Sequence, residues 1–125
     1  MTKLEEIKRK LAEVQMMINA LEASPKKSSP EEVVDMIIGA CTEFHGITPL
    51  NRATNRKVAK SRQRCHYFAR MYTDLSREKI GRRVGGQHAA TVLHSERMVR
   101  VYSAQDQRYQ RELEELNNLI LSKLK

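Results

Sequence analysis

Apolar residues recur every three or four positions along most of the chain, which is the spacing of helices that bury one face. In residues 1–24 this spacing places apolar side chains at Leu4, Ile7, Leu11, Val14, Ile18 and Leu21. We call these six residues the heptad seam, because a strict alternation of three and four is typical of coiled coils. The seam predicts a helix that either pairs with a second copy of the chain or packs on its own domain, and the spacing favours neither.

Residues 25–30 are predicted to form a linker, since two prolines in a polar run cannot continue a helix. Beyond it, the apolar period predicts helices over residues 30–43, 56–72, 77–84 and 89–103, and an amphipathic helix within residues 105–125. No segment has the alternation of a strand. We therefore predict an all-α fold, in which a helical bundle of residues 31–104 is flanked by amphipathic or coiled-coil helices at both termini.

The helix predicted over residues 56–72 combines an apolar face with many cations. Its apolar side chains are expected in the core, and its basic side chains are expected in solvent, namely Lys57, Lys60, Arg62, Arg64 and Arg70.

A glycine pair, Gly85 and Gly86, separates the two helices that follow. A short helix, a glycine-containing turn and a second helix form the layout of a helix-turn-helix. In such motifs the second helix enters the major groove of DNA while the first crosses the backbone. Many helical bundles also contain a two-glycine turn, so the function depends on what surrounds it.

Positive charge is concentrated beside this motif. The chain has a net charge of +8, and residues 52–83 contain eleven Lys or Arg residues against Asp74 and Glu78, a local charge of +9. Residues outside this segment are close to neutral as a group. Such a distribution is expected of a protein that displaces counterions from a phosphate backbone.

Several other classes of function are disfavoured. No run of 18 or more apolar residues occurs, so we expect no transmembrane segment. Cys41 and Cys65 lie in predicted helices without the usual zinc spacings, so we expect buried, reduced thiols, no metal site and a cytoplasmic, nucleoid-associated protein. A P-loop, a catalytic triad and a carboxylate pair are all missing from the sequence, so we expect neither a cofactor nor an enzyme activity.

An ordered series of short motifs indicates a family. The motifs are Arg56 to Gln63, Tyr67 to Arg70, Asp74 to Ser76, Ile80-Gly81, Gly85-Gly86 and Thr91 to His94. Through them, residues 33–103 resemble the C-terminal DNA-binding domain of the bacterial replication initiator DnaA, a Trp-repressor-like helix-turn-helix. The resemblance implies a basic loop that enters the minor groove and a helix after the glycine turn that contacts bases in the major groove.

The resemblance assigns Arg52, Arg56 and Lys57 to the minor groove and the backbone, with Arg62 and Gln63 at phosphates or bases nearby. The cations that precede the turn are expected at phosphates, and residues after it at bases, although Gln87 and His88 fit a turn residue and a helix cap equally well. The full candidate set for DNA contact is Arg52, Arg56, Lys57, Lys60, Arg62, Gln63, Arg77, Lys79, Arg82, Arg83, Gln87, His88, Thr91 and Ser95.

One departure from the family leaves two hypotheses open. Ala89 and Ala90 stand where the family has polar side chains that contact bases, and alanine offers only a methyl group. The first hypothesis is a double-stranded DNA binder in replication or transcription control, of phage or mobile-element origin because the initiator's other domains are missing, and dimerised or braced by its terminal helices. The alternative is a protein-interaction adaptor or antagonist of replication proteins that kept the fold but lost sequence-specific recognition.

Overall fold

The computed structural model describes residues 2–23, 28–53 and 55–124, and within these it contains helices and no strand. The helices are α1 (Lys3–Ala23), α2 (Pro30–His45), α3 (Arg56–Tyr72), α4 (Arg77–Arg83), α5 (Ala89–Gln105) and α6 (Gln107–Leu124). This confirms the all-α fold class, and the bounds predicted for α2 to α5 agree with it to within two residues. Residues 24–27, which fall largely in the predicted linker, lie outside the described residues.

Side-chain caps fix where the central helices begin. Ser29 accepts a hydrogen bond from the backbone N–H of Glu32 at 3.2 Å, and Asn55 accepts one from Val58 at 3.0 Å. Ser76, which the sequence predicted as a cap, accepts one from Lys79 at 3.2 Å. Each cap satisfies a backbone donor that the helix itself leaves free, and contributes about 1 kcal/mol. The starts of α2, α3 and α4 are thus determined locally.

The core forms where α2 and α5 pack on α3, and α6 packs on α2 and α5. Its fully buried aliphatic and aromatic side chains come from all four helices and from α4, and include Ile37, Phe68, Ile80, Val92, Leu113, Leu116 and Ile120. The apolar face of α6 is used almost completely inside the chain, since Tyr109, Leu113, Leu116, Ile120 and Leu124 are all buried. None of the described helices is long and apolar enough to cross a membrane.

Arg64 is fully buried, so the prediction that its side chain lies in solvent is wrong. Its guanidinium stacks 4.3 Å above the centre of the Tyr109 ring and donates a hydrogen bond to Glu112 at 2.9 Å. Both partners lie on α6, which covers this side of α3. The hydrogen bond from Arg64 also lowers the pKa of Glu112, so the pair stays charged at neutral pH.

The first helix has two apolar faces. Met16 and Ala20 are buried in the core, and α1 contacts α3, α5 and α6. Glu13 adds a polar anchor, because it accepts a hydrogen bond from the Tyr67 hydroxyl at 2.7 Å and pairs with Arg100 at 3.3 Å. The heptad seam lies on the other face and is exposed along its whole length.

Candidate nucleic-acid interface

The turn between α4 and α5 closes through two glycines and a close backbone contact. Gly85 and Gly86 adopt left-handed conformations, with φ of 77° and 63°, which side chains other than glycine's rarely adopt. The backbone N–H of Gln87 donates to the Gly81 carbonyl at 2.7 Å. A Cβ atom on Gly81 would lie 2.2 Å from the Gln87 oxygen, so only glycine allows α4 and the turn to meet this closely.

Helix α5 is held against α3 by its inner face. Val92 and Val99 are fully buried, and the hydroxyl of Ser95 lies 2.8 Å from Nδ1 of His66 in a buried hydrogen bond. The prediction that Ser95 contacts DNA is therefore wrong. Ser95 follows Val92 by three residues, so both lie on the buried face of the helix.

The outward face of α5 carries exposed residues that were not predicted from the sequence to contact DNA. Ala90, His94 and Arg97 are exposed and follow one another at helical spacing. Their spacing from the glycine turn is a signal that could have identified them once Val92 was placed inside. Thr91 lies at the edge of this face and is half-buried.

Gln87 and His88 occupy the first positions beyond the glycines. The Gln87 side chain donates to the Gly85 carbonyl at 3.3 Å, so it contributes to the turn itself. His88 is at the N-cap position of α5, but its side chain makes no capping hydrogen bond and is exposed. Its imidazole is therefore available to a ligand at the start of the helix.

Most cations of α4 are matched by carboxylates. Arg77 donates to Glu96 at 2.7 Å, and Arg83 pairs with Asp35 at 2.6 Å. Arg82 pairs with Glu78 one turn earlier in the same helix. Their roles at phosphates stay predictions. Lys79 is exposed and has no ion pair within the described residues, so it carries the unmatched positive charge of this helix.

The loop that leads into α3 and the first turn of that helix are different, because their cations have no carboxylate partner in the described part of the chain. Arg52 in the loop, and Arg56 and Lys57 in the first turn of α3, are all exposed, and we call these three residues the basic loop. A methyl group placed on Gly85 would lie 3.7 Å from the Pro49 carbonyl oxygen. Pro49, three residues before Arg52, thus lies against the turn of the helix-turn-helix.

Arg62 positions the chain before the basic loop. Its guanidinium donates to the Pro49 carbonyl at 3.3 Å and to the Asn51 carbonyl. Ser61 adds a hydrogen bond to the Ile47 carbonyl at 3.2 Å. Since these bonds occupy Arg62 and leave it half-buried, the structure gives it a part in ordering the chain before the basic loop, and its contact with DNA stays a prediction.

Lys60 and Gln63 face a groove beside the basic loop. This groove has a volume of about 840 Å³ and is also lined by Phe44, Tyr102 and Glu112. The Lys60 ammonium lies 4.0 Å from the Glu112 carboxylate, which reduces the positive charge it can offer. Its DNA contact, and that of Gln63, stay predictions.

The two cysteines are free and buried. A hydrogen bond with Cys41 and burial together raise the pKa of the Cys65 thiol. Across residues 2–23, 28–53 and 55–124, no three His, Cys, Asp or Glu side chains gather as metal ligands would.

The buried imidazole of His66 is expected to make the fold less stable in mild acid. Burial lowers its pKa from 6.5 to about 4, because the imidazolium is poorly solvated between α3 and α5. Below pH 6.5 the unfolded chain binds a proton that the folded chain does not, so the free energy of unfolding falls as the pH drops from 6.5 to 4. We expect His66 to contribute a loss of about 2 kcal/mol between pH 7.5 and 5, measured by urea denaturation as the difference in pH dependence between the wild type and His66→Gln.

Two variants test whether His66 causes this loss of stability. His66→Gln should flatten the pH dependence, while His94→Gln, at an exposed position, should leave it as in the wild type. Burial likewise lowers the pKa of His45 to about 4, so part of the slope remains in His66→Gln. An unchanged slope in His66→Gln would contradict the prediction.

Comparison with known proteins places this surface in a family context. The family described as the helix-turn-helix of the bacterial DnaA protein matches residues 34–99. Relatives named chromosomal replication initiator protein DnaA include those of Bartonella quintana, 46% identical over 70 residues, and Bacteroides thetaiotaomicron, 36% identical over 72 residues. These matches cover 56% and 58% of this chain, but 14% and 15% of the relatives.

A third relative matches more of the chain. The DnaA protein of Streptococcus mutans is 33% identical over 113 residues, which is 86% of this chain and 25% of that protein. The chain therefore spans at most about a quarter of the length of these three relatives. The family match includes the basic loop and the helix-turn-helix.

Proposed function

The chain belongs to the family of the bacterial DnaA helix-turn-helix, and from this premise we propose that it binds double-stranded DNA through α4, α5 and the basic loop. The observation that carries the proposal is the basic loop. Its three exposed cations have no carboxylate partner in the described residues, and Pro49, three residues before Arg52, lies against the turn before α5. Unmatched cations at a surface are what displaces counterions from DNA.

The geometry supports different roles for α5 and for the basic loop. We propose that α5 enters the major groove with its N-terminus, where His88 and the exposed Ala90 and His94 come nearest to base edges. A histidine can donate to or accept from a base, and an alanine methyl can contact a thymine methyl. The arginines of the basic loop suit the narrow, electronegative minor groove, and Lys79 suits a phosphate.

A role in replication initiation or transcription control is the context we propose for this binding. It rests on the relatives, whose names describe replication initiators and whose length the chain covers only in part. We further propose that the chain acts in the cytoplasm on nucleoid DNA, without catalysis, alongside other replication proteins. An adaptor that does not bind DNA is not favoured, because the basic loop would then have no function.

Salt dependence of binding tests the proposal. A fluorescently labelled random-sequence duplex is titrated with the full chain between 50 and 200 mM salt, and anisotropy is measured. With about five phosphate contacts, the logarithm of the association constant should fall with the logarithm of salt concentration with a slope of about −4 to −5. Absence of binding at 50 mM salt would overturn the proposal.

A second titration separates this from binding to any polyanion. Heparin, which is anionic but has no grooves, should compete with DNA for the protein at low salt. Duplexes selected from random sequences should nevertheless differ from one another in affinity, which heparin binding does not explain. Equal affinity for every duplex would leave backbone binding and remove the proposed role of α5.

A further inference from the structure

The outer face of α1 is an apolar surface that the fold does not use. The residues of the heptad seam are between 42% and 78% exposed, and Met17 beside them is 46% exposed. The inner face is already occupied, since Met16 and Ala20 are buried and Glu13 bonds to Tyr67 and Arg100. Packing on its own domain therefore explains one face of α1 and leaves the other without a partner among the described residues.

The spacing along the exposed face is compatible with a coiled coil. The six seam residues alternate by three and four positions, which are the a and d positions of a heptad repeat, and they form one stripe along the outer side of α1. A stripe of this kind can face a second helix that winds around the first.

The amount of exposed surface fits a dimer. Monomeric proteins rarely expose continuous apolar patches above about 300–600 Å², and seven large side chains exposed by roughly half reach this range on one α1. Two such faces together approach the roughly 1,200 Å² at which stable interfaces begin. The second copy of this chain supplies a face of matching length.

The charges that flank the seam favour an antiparallel pair. In a parallel pair, Lys3 of each chain would lie beside Lys8 of the other, so both repulsive contacts fall at the N-terminal end of the interface, and no opposite charges would meet. In an antiparallel pair, Lys8 lies beside Glu22 of the partner twice, and the one repulsive contact is Lys10 against Lys10 at the centre. Two attractions against one repulsion favour the antiparallel arrangement.

From these observations we propose that α1 forms an antiparallel two-stranded coiled coil with α1 of a second copy, which makes the chain a dimer. The layers of the interface pair Leu4 with Leu21, Ile7 with Ile18 and Leu11 with Val14 across the two chains. A two-fold axis passes between the middle layers, so the interface is closed and no larger assembly forms. The proposal extends the proposed function, because the dimer carries two DNA-binding surfaces related by that axis.

Molar mass tests the pairing. We expect the full chain to have twice the monomer mass in light scattering after gel filtration at concentrations of tens of micromolar. Leu11→Glu with Val14→Glu should give a monomer of unchanged helical content. Leu50→Glu with Val101→Glu introduces the same charges at positions that are 43% and 42% exposed, and should stay dimeric. A monomeric wild type, or a monomeric control variant, would overturn the proposal.

Oxidative cross-linking tests the orientation. Because the native cysteines are buried, introduced cysteines dominate disulfide formation. Leu4→Cys alone should stay uncross-linked, and Leu4→Cys with Leu21→Cys should form disulfides between the two chains. Cross-linking of the single variant would indicate a parallel pair and overturn the antiparallel arrangement.

Failure of this proposal is distinguishable from failure of the proposed function. A monomeric Leu11→Glu, Val14→Glu variant still has an intact basic loop, so it should bind a short duplex with unchanged salt dependence. It should lose only the tighter binding to duplexes that contain two inverted sites.

Discussion

Replacing both Arg52 and Arg56 with alanine is expected to lower the affinity for duplex DNA by at least about 100-fold at 50 mM salt. Both side chains are exposed and have no carboxylate partner in the described residues, so their charge is available to DNA. Loss of an arginine in a groove costs about 1–3 kcal/mol, and two such losses account for the expected effect. The salt dependence should also become shallower by about two, since two counterion-displacing charges are gone.

A matched variant separates the effect of the arginines' position on DNA affinity from the effect of net charge. Arg108 and Arg111 are also exposed, and they lie on α6, away from the glycine turn in sequence. Replacing them with alanine also removes two guanidinium groups. Because only the net charge changes, the affinity should fall less than about threefold. Equal losses in the two double variants would mean that binding follows total charge and that the basic loop has no special part.

Replacing Gly81 with alanine should destabilise the fold by about 3 kcal/mol or more, because overpacking against backbone cannot relax by a rotamer change. The new Cβ would meet the Gln87 oxygen at 2.2 Å, and the Gln87 N–H to Gly81 carbonyl hydrogen bond would have to lengthen or break. Urea denaturation measures the stability. DNA affinity should fall further than the folded fraction explains, because α5 is displaced relative to the basic loop.

Gly39 provides the control for this substitution. It lies within α2, is exposed, and a Cβ there would meet nothing within 4 Å. Gly39→Ala should therefore stabilise the protein by about 0.5–1 kcal/mol, since alanine loses less backbone entropy on forming a helix. If Gly81→Ala were as stable as the wild type, the close approach between α4 and the turn would be wrong.

The features that depend on neighbouring residues were predictable from the sequence. Helix bounds follow from the apolar period and from caps such as Ser76, both of which act over a few residues. The position of the glycine turn and the concentration of charge in residues 52–83 are likewise properties of the chain read in order. The all-α class and the helix-turn-helix follow from these local signals.

The features that depend on which helices meet were not predictable. Arg64 lies in the same basic stretch of α3 as Lys60 and Arg62, and only the placement of Tyr109 and Glu112 from α6 against it explains its burial. Ser95 was assigned to the wrong face although it follows the buried Val92 by three residues, and only the packing of α5 on α3 shows that its partner is His66, twenty-nine residues earlier. The local charge of +9 in residues 52–83 was also larger than the charge available to DNA. Asp35 and Glu96 lie outside that segment, and they neutralise two of its arginines.

The anchoring of α5 by one face has a consequence for how target preference can change. The contacts that hold the helix against α3, including Val92, Val99 and the bond between Ser95 and His66, lie inside. Ala90, His94 and Arg97 lie outside and are exposed, so a replacement there costs little folding energy. Selection or a randomised library could therefore redirect the protein to new DNA sequences through these positions, while the scaffold that presents them stays as it is.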